Sequence, residues 1–193
     1  MAGPARFTAV LDACVLYPVS VADALLSLAV AGLYAAKWTT TIEDEWIRNL
    51  ESKRPELQGR LHRRRDDMRA AVPDWEVSAT ACQRLAPDLE LPDPGDAHVL
   101  AAALVGHADC IVTANLRDFP PATLATYGVE VLHPDDFIVA QIDLNELSAL
   151  AAFRDMRARK RNPALDPEAF VQALERNGLV ATASRLRLAA SLI

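Results

Sequence analysis

Cysteine is scarce in this chain of 193 residues, and its three positions, Cys14, Cys82 and Cys110, show no CxxC spacing and no histidine in metal-finger register. A zinc-finger scaffold and a disulfide framework are therefore excluded as readings, and reduced structural thiols are expected. Positive charge is also in short supply. With 20 Lys and Arg against 26 Asp and Glu, the formal net charge is −6 and the pI about 5.2. No global basic field advertises a protein that simply coats nucleic acid. A nuclease is not excluded, because a carboxylate cluster lowers net charge and needs cations before it approaches phosphate. Long hydrophobic runs are missing too, so no membrane span is expected. The N-terminal stretch MAGPARFTAVLD has no basic n-region followed by a long apolar segment, and a cytoplasmic location is expected. There is no internal repeat and no low-complexity tract.

What remains is a chain with 51% hydrophobic residues, long enough to bury the core of one α/β domain plus a small helical addition. FTAVLDACVL is a short apolar run of β-formers that meets a carboxylate at Asp12, as a buried parallel strand does at its carboxyl end. Pro18 starts a helix whose buried face is Ala22, Leu25, Leu26, Ala29, Val30 and Leu33. Lys37 to Thr41 supplies a second strand. From Thr40 or Thr41 another helix begins, with Glu43 or Asp44 in capping-box register and Ile42, Trp46 and Leu50 as its stripe. Residues 51 to 72 read as charged helix. Pro73, Pro87, Pro92 and Pro94 punctuate a loop region around a short strand at Trp75 to Ser78. Asp96 opens the alanine-rich helix AHVLAAALVG, which Gly106 closes, and Ala108 to Thr113 and Val129 to Leu132 are further strands. Strands alternating with helices imply a parallel sheet with right-handed crossovers. Beyond His133 only helix signals remain: Asp143 with Glu146 as a capping box, then Asp166-Pro167 as cap and first helical residue, with Gly178 past that helix's end.

Oxygen-bearing residues recur where strands end or helices begin: Asp12, Glu45, Asp96, and Asn115 with Asp118. Gathered at one sheet edge, they form a pocket suited to a hard divalent cation. Each has an ordinary explanation. Asp96 alone reads as an N-cap, and Glu43 and Asp44 alone as complements to a helix dipole. Asp12 is harder to dismiss, since a carboxylate directly after a buried strand costs desolvation energy unless something pairs with it. The helical wheel does not choose among Glu43, Asp44 and Glu45.

The order LDACVLYP, IEDEWIRNL, DPGDAHVLAAAL and IVTANLRDF resembles the PIN-domain ribonucleases, in particular the VapC-like toxins of bacterial toxin–antitoxin pairs, over about residues 6 to 138. The resemblance implies an α/β, PIN-like domain with a central parallel sheet flanked by helices over 1–140, followed by a helical C-terminal extension over 141–193. It implies a metal-dependent endoribonuclease with Asp12, Glu45 and Asp96 on the family's first three acidic positions. Where the family pattern carries an aspartate this chain has Asn115, with a second acid at Asp118 that completes the set of catalytic and metal-binding residues. Thr113, Asn115 and Asp93 are auxiliary candidates. An all-oxygen set favours Mg²⁺, with Mn²⁺ as substitute, over Zn²⁺. Implied partners are RNA, a small antitoxin and a second copy of the chain. Asn115 motivates the alternative of a catalytically weakened PIN-like module that binds RNA or protein. A haloacid-dehalogenase-like phosphatase also places Asp after its first strand, but wants a second Asp where this chain has Cys14.

Two basic runs, Arg60 to Arg65 and Arg154 to Arg161, are candidates for phosphate contact, and the second is the more one-sided. His98 and His107 read as structural. Trp38, Trp46 and Trp75 read as core.

Overall fold

The computed structural model describes residues 7–193, so the first six residues of the N-terminal stretch lie outside it. In chain order the elements are β1 (Thr8–Leu11), α1 (Ala13–Leu16), α2 (Val19–Val30), β2 (Ala35–Lys37), α3 (Thr40–Lys53), α4 (His62–Ala71), α5 (Ala79–Leu85), α6 (Ala97–Val105), β3 (Cys110–Val112), α7 (Pro121–Thr126), β4 (Glu130–Leu132), α8 (Pro134–Leu144), α9 (Glu146–Ala158), α10 (Pro167–Arg176) and α11 (Val180–Leu188). They form two compact units. One holds the described residues up to Tyr17 together with Tyr34–His133, and the other Pro18–Leu33 with Pro134–Ile193.

The first unit carries a four-stranded sheet in the order β2-β1-β3-β4. Every pairing is parallel, with Ala9 opposite Ala36 and Cys110, and Ile111 opposite Val131. Ala9, Val10, Leu11, Ile111 and Val112 are fully buried, which explains why these strands read as unbroken apolar runs instead of alternating ones. Helix α6 packs on β1 and β3. Its Ala101, Ala102 and Ala103 are wholly buried, and their small side chains let the helix lie close to the sheet at interior packing density. Gly106 ends that helix in a crowded place: a Cβ there would stand 2.8 Å from the Ala102 carbonyl oxygen and 2.9 Å from Val77.

The chain leaves β1 for β2 on one side and later returns to β3 on the other. The strand order therefore reverses between β1 and β3, and in open parallel sheets ligands bind at the carboxyl ends of the strands flanking such a reversal. Asp12 follows β1 and Thr113 follows β3. The Asp12 amide donates to the Val112 carbonyl at 3.2 Å and the Thr113 amide to that of Leu132 at 3.0 Å, so the ladder continues one residue past the strands and sets the two side chains together.

Several boundaries differ from the expected ones. The second strand is Ala35–Lys37, earlier than Lys37 to Thr41. Helix α3 is capped by Thr39, whose hydroxyl accepts from the Ile42 amide; Thr40 and Thr41 lie inside it. Residues 51 to 72 are not one helix, because Arg54-Pro55 ends α3 and a 3-10 turn at Pro55–Leu57 precedes α4. The expected strand at Trp75 to Ser78 is reduced to a parallel bridge of Glu76 with Trp38, beside which the Trp38 and Trp75 rings stack 5.2 Å apart.

The second unit is helical. Helix α2 packs on α8, α9 and α10, and α11 on α8 and α10. The cap of α9 is Asn145, whose side chain accepts from the Ser148 amide; Asp143 falls inside α8. Asp166 caps α10 as expected, accepting from Ala169 at 2.8 Å. Gly178 follows at φ 87°, a left-handed conformation that glycine adopts without penalty. The start of α11 is capped from a distance: the buried Asp135 carboxylate accepts from the amides of Ala181 at 2.7 Å and Thr182 at 2.8 Å. No helix among the described residues is long and apolar enough to cross a membrane.

Candidate metal centre

Asp12 is only 5% exposed. Its Oδ2 receives the Thr113 hydroxyl at 2.7 Å and the Cys14 thiol at 3.0 Å. Both donors are neutral, so they orient the carboxylate and share its charge without cancelling it. Thr113 is held in turn, accepting from the Asn115 amide at 3.0 Å, and the Ala114 amide donates to Cys14 Sγ at 3.2 Å. Burial, followed by the field of Asp12, pushes the Cys14 thiol up to about 12. A thiol so placed remains protonated and serves as a donor.

Asp96 sits where α6 begins, yet its side chain caps nothing. The ordinary explanation for an aspartate at that position therefore fails here, and the carboxylate is left for another use. Burial, and then the negative fields of Asp12, Asp93, Asp118 and Glu45 in that order, raise its pKa from 3.8 to about 6. Five acids thus share one electrostatic neighbourhood. Asp93, Asp96 and Asp118 form its tightest group, each offering an oxygen within 4.8 Å of the others. Asp93 spends one oxygen on its own turn, accepting from the Gly95 amide at 2.8 Å. Asn115 Nδ2 donates to Asp118 Oδ2 at 2.6 Å, so the amide that replaces an acid here steadies the neighbouring acid.

The three acids that the helical wheel left unresolved now separate. Glu43 is buried, accepts from Trp38 Nε1 at 2.9 Å and from Arg69 Nε at 3.0 Å, and pairs with a second guanidinium nitrogen of Arg69. It is a structural ion pair. Asp44 faces solvent. Glu45 is half-buried and turns toward His98, with Oε2 3.2 Å from Nε2. His98, read from the sequence as structural, thus stands beside Glu45. Its ring sits at an ion-pair distance whose angle falls short of a hydrogen bond. Desolvation works to lower the His98 pKa, but Glu45, the Gly95 carbonyl and Asp12 outweigh it and raise the value. A histidine two residues after an acid at a helix start carries no motif; only the turn at Pro94–Asp96 brings it back toward α3.

The donor set fits a hard divalent cation. It is all oxygen, Asp96 is pushed toward protonation by burial and then by its neighbours' charge, and a bound cation relieves both. Asp12 and Glu45 adjoin the Asp93, Asp96 and Asp118 group through their fields on Asp96, and Thr113 and Asn115 orient its members.

The basic runs are largely committed elsewhere. Arg64 donates to the Tyr17 carbonyl at 3.2 Å and lies over the Trp46 ring; Arg65 pairs with Asp66 and Arg63 with Asp67. In the second run Arg159 and Lys160 both bind Asp23, while Arg157 donates to the Leu165 carbonyl at 2.9 Å. Three of the cations of that run are thus engaged within the helical unit, while Arg154, among the described residues, makes only an exposed pair with Asp155.

Residues 8–117 match the family model described as the PIN domain, and residues 134–188 match that of the VapC50 C-terminal domain. A stretch of 79 residues, 41% of this chain, is 42% identical to the Mycobacterium tuberculosis (strain ATCC 25618 / H37Rv) protein named "Putative ribonuclease VapC50", of which it covers 47%. The matched stretch spans about half the length of that curated relative. No solved structure matches the chain. The PIN match begins on β1 and ends on the turn between Asn115 and Asp118, enclosing the reversal of strand order and nearly all of the acids gathered beside it, and over that majority of its length the chain belongs to the PIN-domain family, in its VapC-like form.

Proposed function

We propose that the chain is a Mg²⁺-dependent endoribonuclease that hydrolyses RNA phosphodiester bonds and acts as the toxin of a type II toxin–antitoxin pair, restrained by a small antitoxin protein in the cytoplasm. The observation that carries this reading is the group of Asp93, Asp96 and Asp118, whose carboxylate oxygens lie within 4.8 Å of one another, in a chain whose residues 8–117 match the PIN domain. Asp12, Glu45, Asp96 and Asp118 would hold the cation, with Asp93 as a supplement. When bound, Mg²⁺ or Mn²⁺ acidifies water and stabilises charge on phosphoryl oxygens. The protein supplies the rest. Thr113 and Cys14 fix the Asp12 carboxylate through Oδ2, and among the described residues no donor is seen on Oδ1. Burial of Asp12 keeps water off one side of the centre. The amide of Asn115 limits the swing of Asp118. Residues 1–140 form the nuclease part in this reading, and residues 141–193 a helical extension supporting partner contact.

Cleavage of end-labelled RNA by the purified chain, with Mg²⁺ and with chelator, tests the reading. Chelator abolishes cleavage, and Asp12→Asn and Glu45→Gln each lose at least about 100-fold, beyond the roughly 10- to 100-fold that partners outside the metal shell cost. Equal cleavage by all three proteins rejects the enzymatic assignment. A chain that binds RNA without cutting it supports the alternative, a weakened PIN-like binding module, for which Asn115 is the supporting residue.

A further inference from the structure

We propose that His98 is a positioning residue that ties Glu45 on α3 to the turn carrying Asp93 and Asp96, and so fixes the spacing between acids that arrive from distant parts of the sequence. The inference rests on the nuclease reading and adds a residue to it. His98 Nδ1 lies 2.7 Å from the Gly95 carbonyl oxygen, an atom that only accepts, so Nδ1 carries a hydrogen. Nε2 lies 3.2 Å from Glu45 Oε2. The ring therefore faces an acceptor with each of its two nitrogens, and holding both takes a hydrogen on each. One acceptor is the backbone of the turn in which Gly95 also donates to Asp93. The other is the carboxylate whose place on α3 the helix alone does not determine, since Glu45 sits on a flexible two-methylene stem.

The chain of contacts runs Asp93, Gly95, His98, Glu45, and it crosses from the α6 turn to α3 without passing through the core. The ring is largely enclosed, with a side-chain exposure of 20% against 28% for Glu45, so water competes weakly for either nitrogen. Carboxylates that ligate metals are themselves held by hydrogen-bonded partners outside the metal shell, and losing such a partner costs about 10- to 100-fold in metal affinity or activity. A purely repulsive role predicts the reverse, because a cationic ring beside Glu45 opposes a second cation.

The test compares His98→Ala and His98→Gln with wild type by Mn²⁺ titration calorimetry and by RNA cleavage at saturating Mg²⁺. For His98→Ala, Mn²⁺ affinity and kcat fall about 10- to 100-fold, with KM for RNA within about twofold of wild type. His98→Gln, whose amide reaches toward Glu45, recovers part of both. In a Glu45→Gln background the same His98→Ala change alters Mn²⁺ affinity no further; a ring that only supports the fold would cost the same in either background. Unchanged kcat, tightened Mn²⁺ binding or full additivity of the two substitutions overturns the positioning role while wild-type cleavage leaves the nuclease reading intact. Absence of cleavage by wild type overturns the nuclease reading itself.

Discussion

Glu43 and Glu45 are two positions apart on one helix and have opposite consequences. Removing Glu43 leaves Trp38 Nε1 unpaired in the core while the partly exposed Arg69 guanidinium turns to solvent, and Glu43→Ala should cost about 1–3 kcal/mol, read as a shift in urea midpoint. Glu45→Gln should leave that midpoint nearly unchanged while cleavage is lost. The sequence could not separate these acids, because both border the apolar stripe and the deciding contacts come from Trp38, Arg69 and His98, none of which periodicity locates. Asp12 and Asp96 were legible, since each stands at the junction of an apolar run with an oxygen-rich stretch. Asp96 also sets a pH dependence. Its folded pKa, about 6, exceeds the ordinary 3.8, so its contribution to stability is full below the unfolded value and is lost as pH rises from about 4 through 6. In metal-free protein the thermal midpoint should fall over that window more steeply in wild type than in Asp96→Asn, and Mg²⁺ should restore more stability at pH 7 than at pH 5. At the fourth acidic position, Asn115→Asp should tighten Mn²⁺ binding, measured by calorimetry, because a second charge joins Asp118.

Among the elements, β1, β3 and β4 were found close to their true places because each is a short apolar run, whereas β2 was placed too late in the chain and the caps of α3 and α9 were misplaced, while that of α10 fell on the expected Asp166. Thr39, Thr40 and Thr41 are chemically equivalent as caps, and the choice of Thr39 follows from the bridge between Trp38 and Glu76 that fixes where the extended backbone stops. The same lesson applies to α11. Nothing in its own sequence caps it, and its first amides are satisfied by Asp135 from α8. Asp135→Ala should therefore destabilise the protein by about 1–3 kcal/mol through unpaired buried amides, and hydrogen exchange should quicken first at Ala181 and Thr182.

Across the molecule, helix α2 groups with the C-terminal helices although it lies between β1 and β2 in sequence. Its apolar face was evident from spacing, but periodicity says only that a face is buried, never against what. A chain ending at His133 would leave Val21, Leu25 and Leu28, all buried here, without the helices that cover them, and should bind a hydrophobic dye such as ANS and sediment as aggregates where the full chain does not. The interleaving also has a consequence in time. A ribosome finishing residue 33 has roughly 100 more to add before α8 begins, about 5–20 s at ordinary rates of synthesis. Throughout that interval a nascent α2 waits for its mates, so for this protein the window of greatest exposure to chaperones, proteases and misassociation opens once α2 is made and closes only after α8, α9 and α10 have followed it.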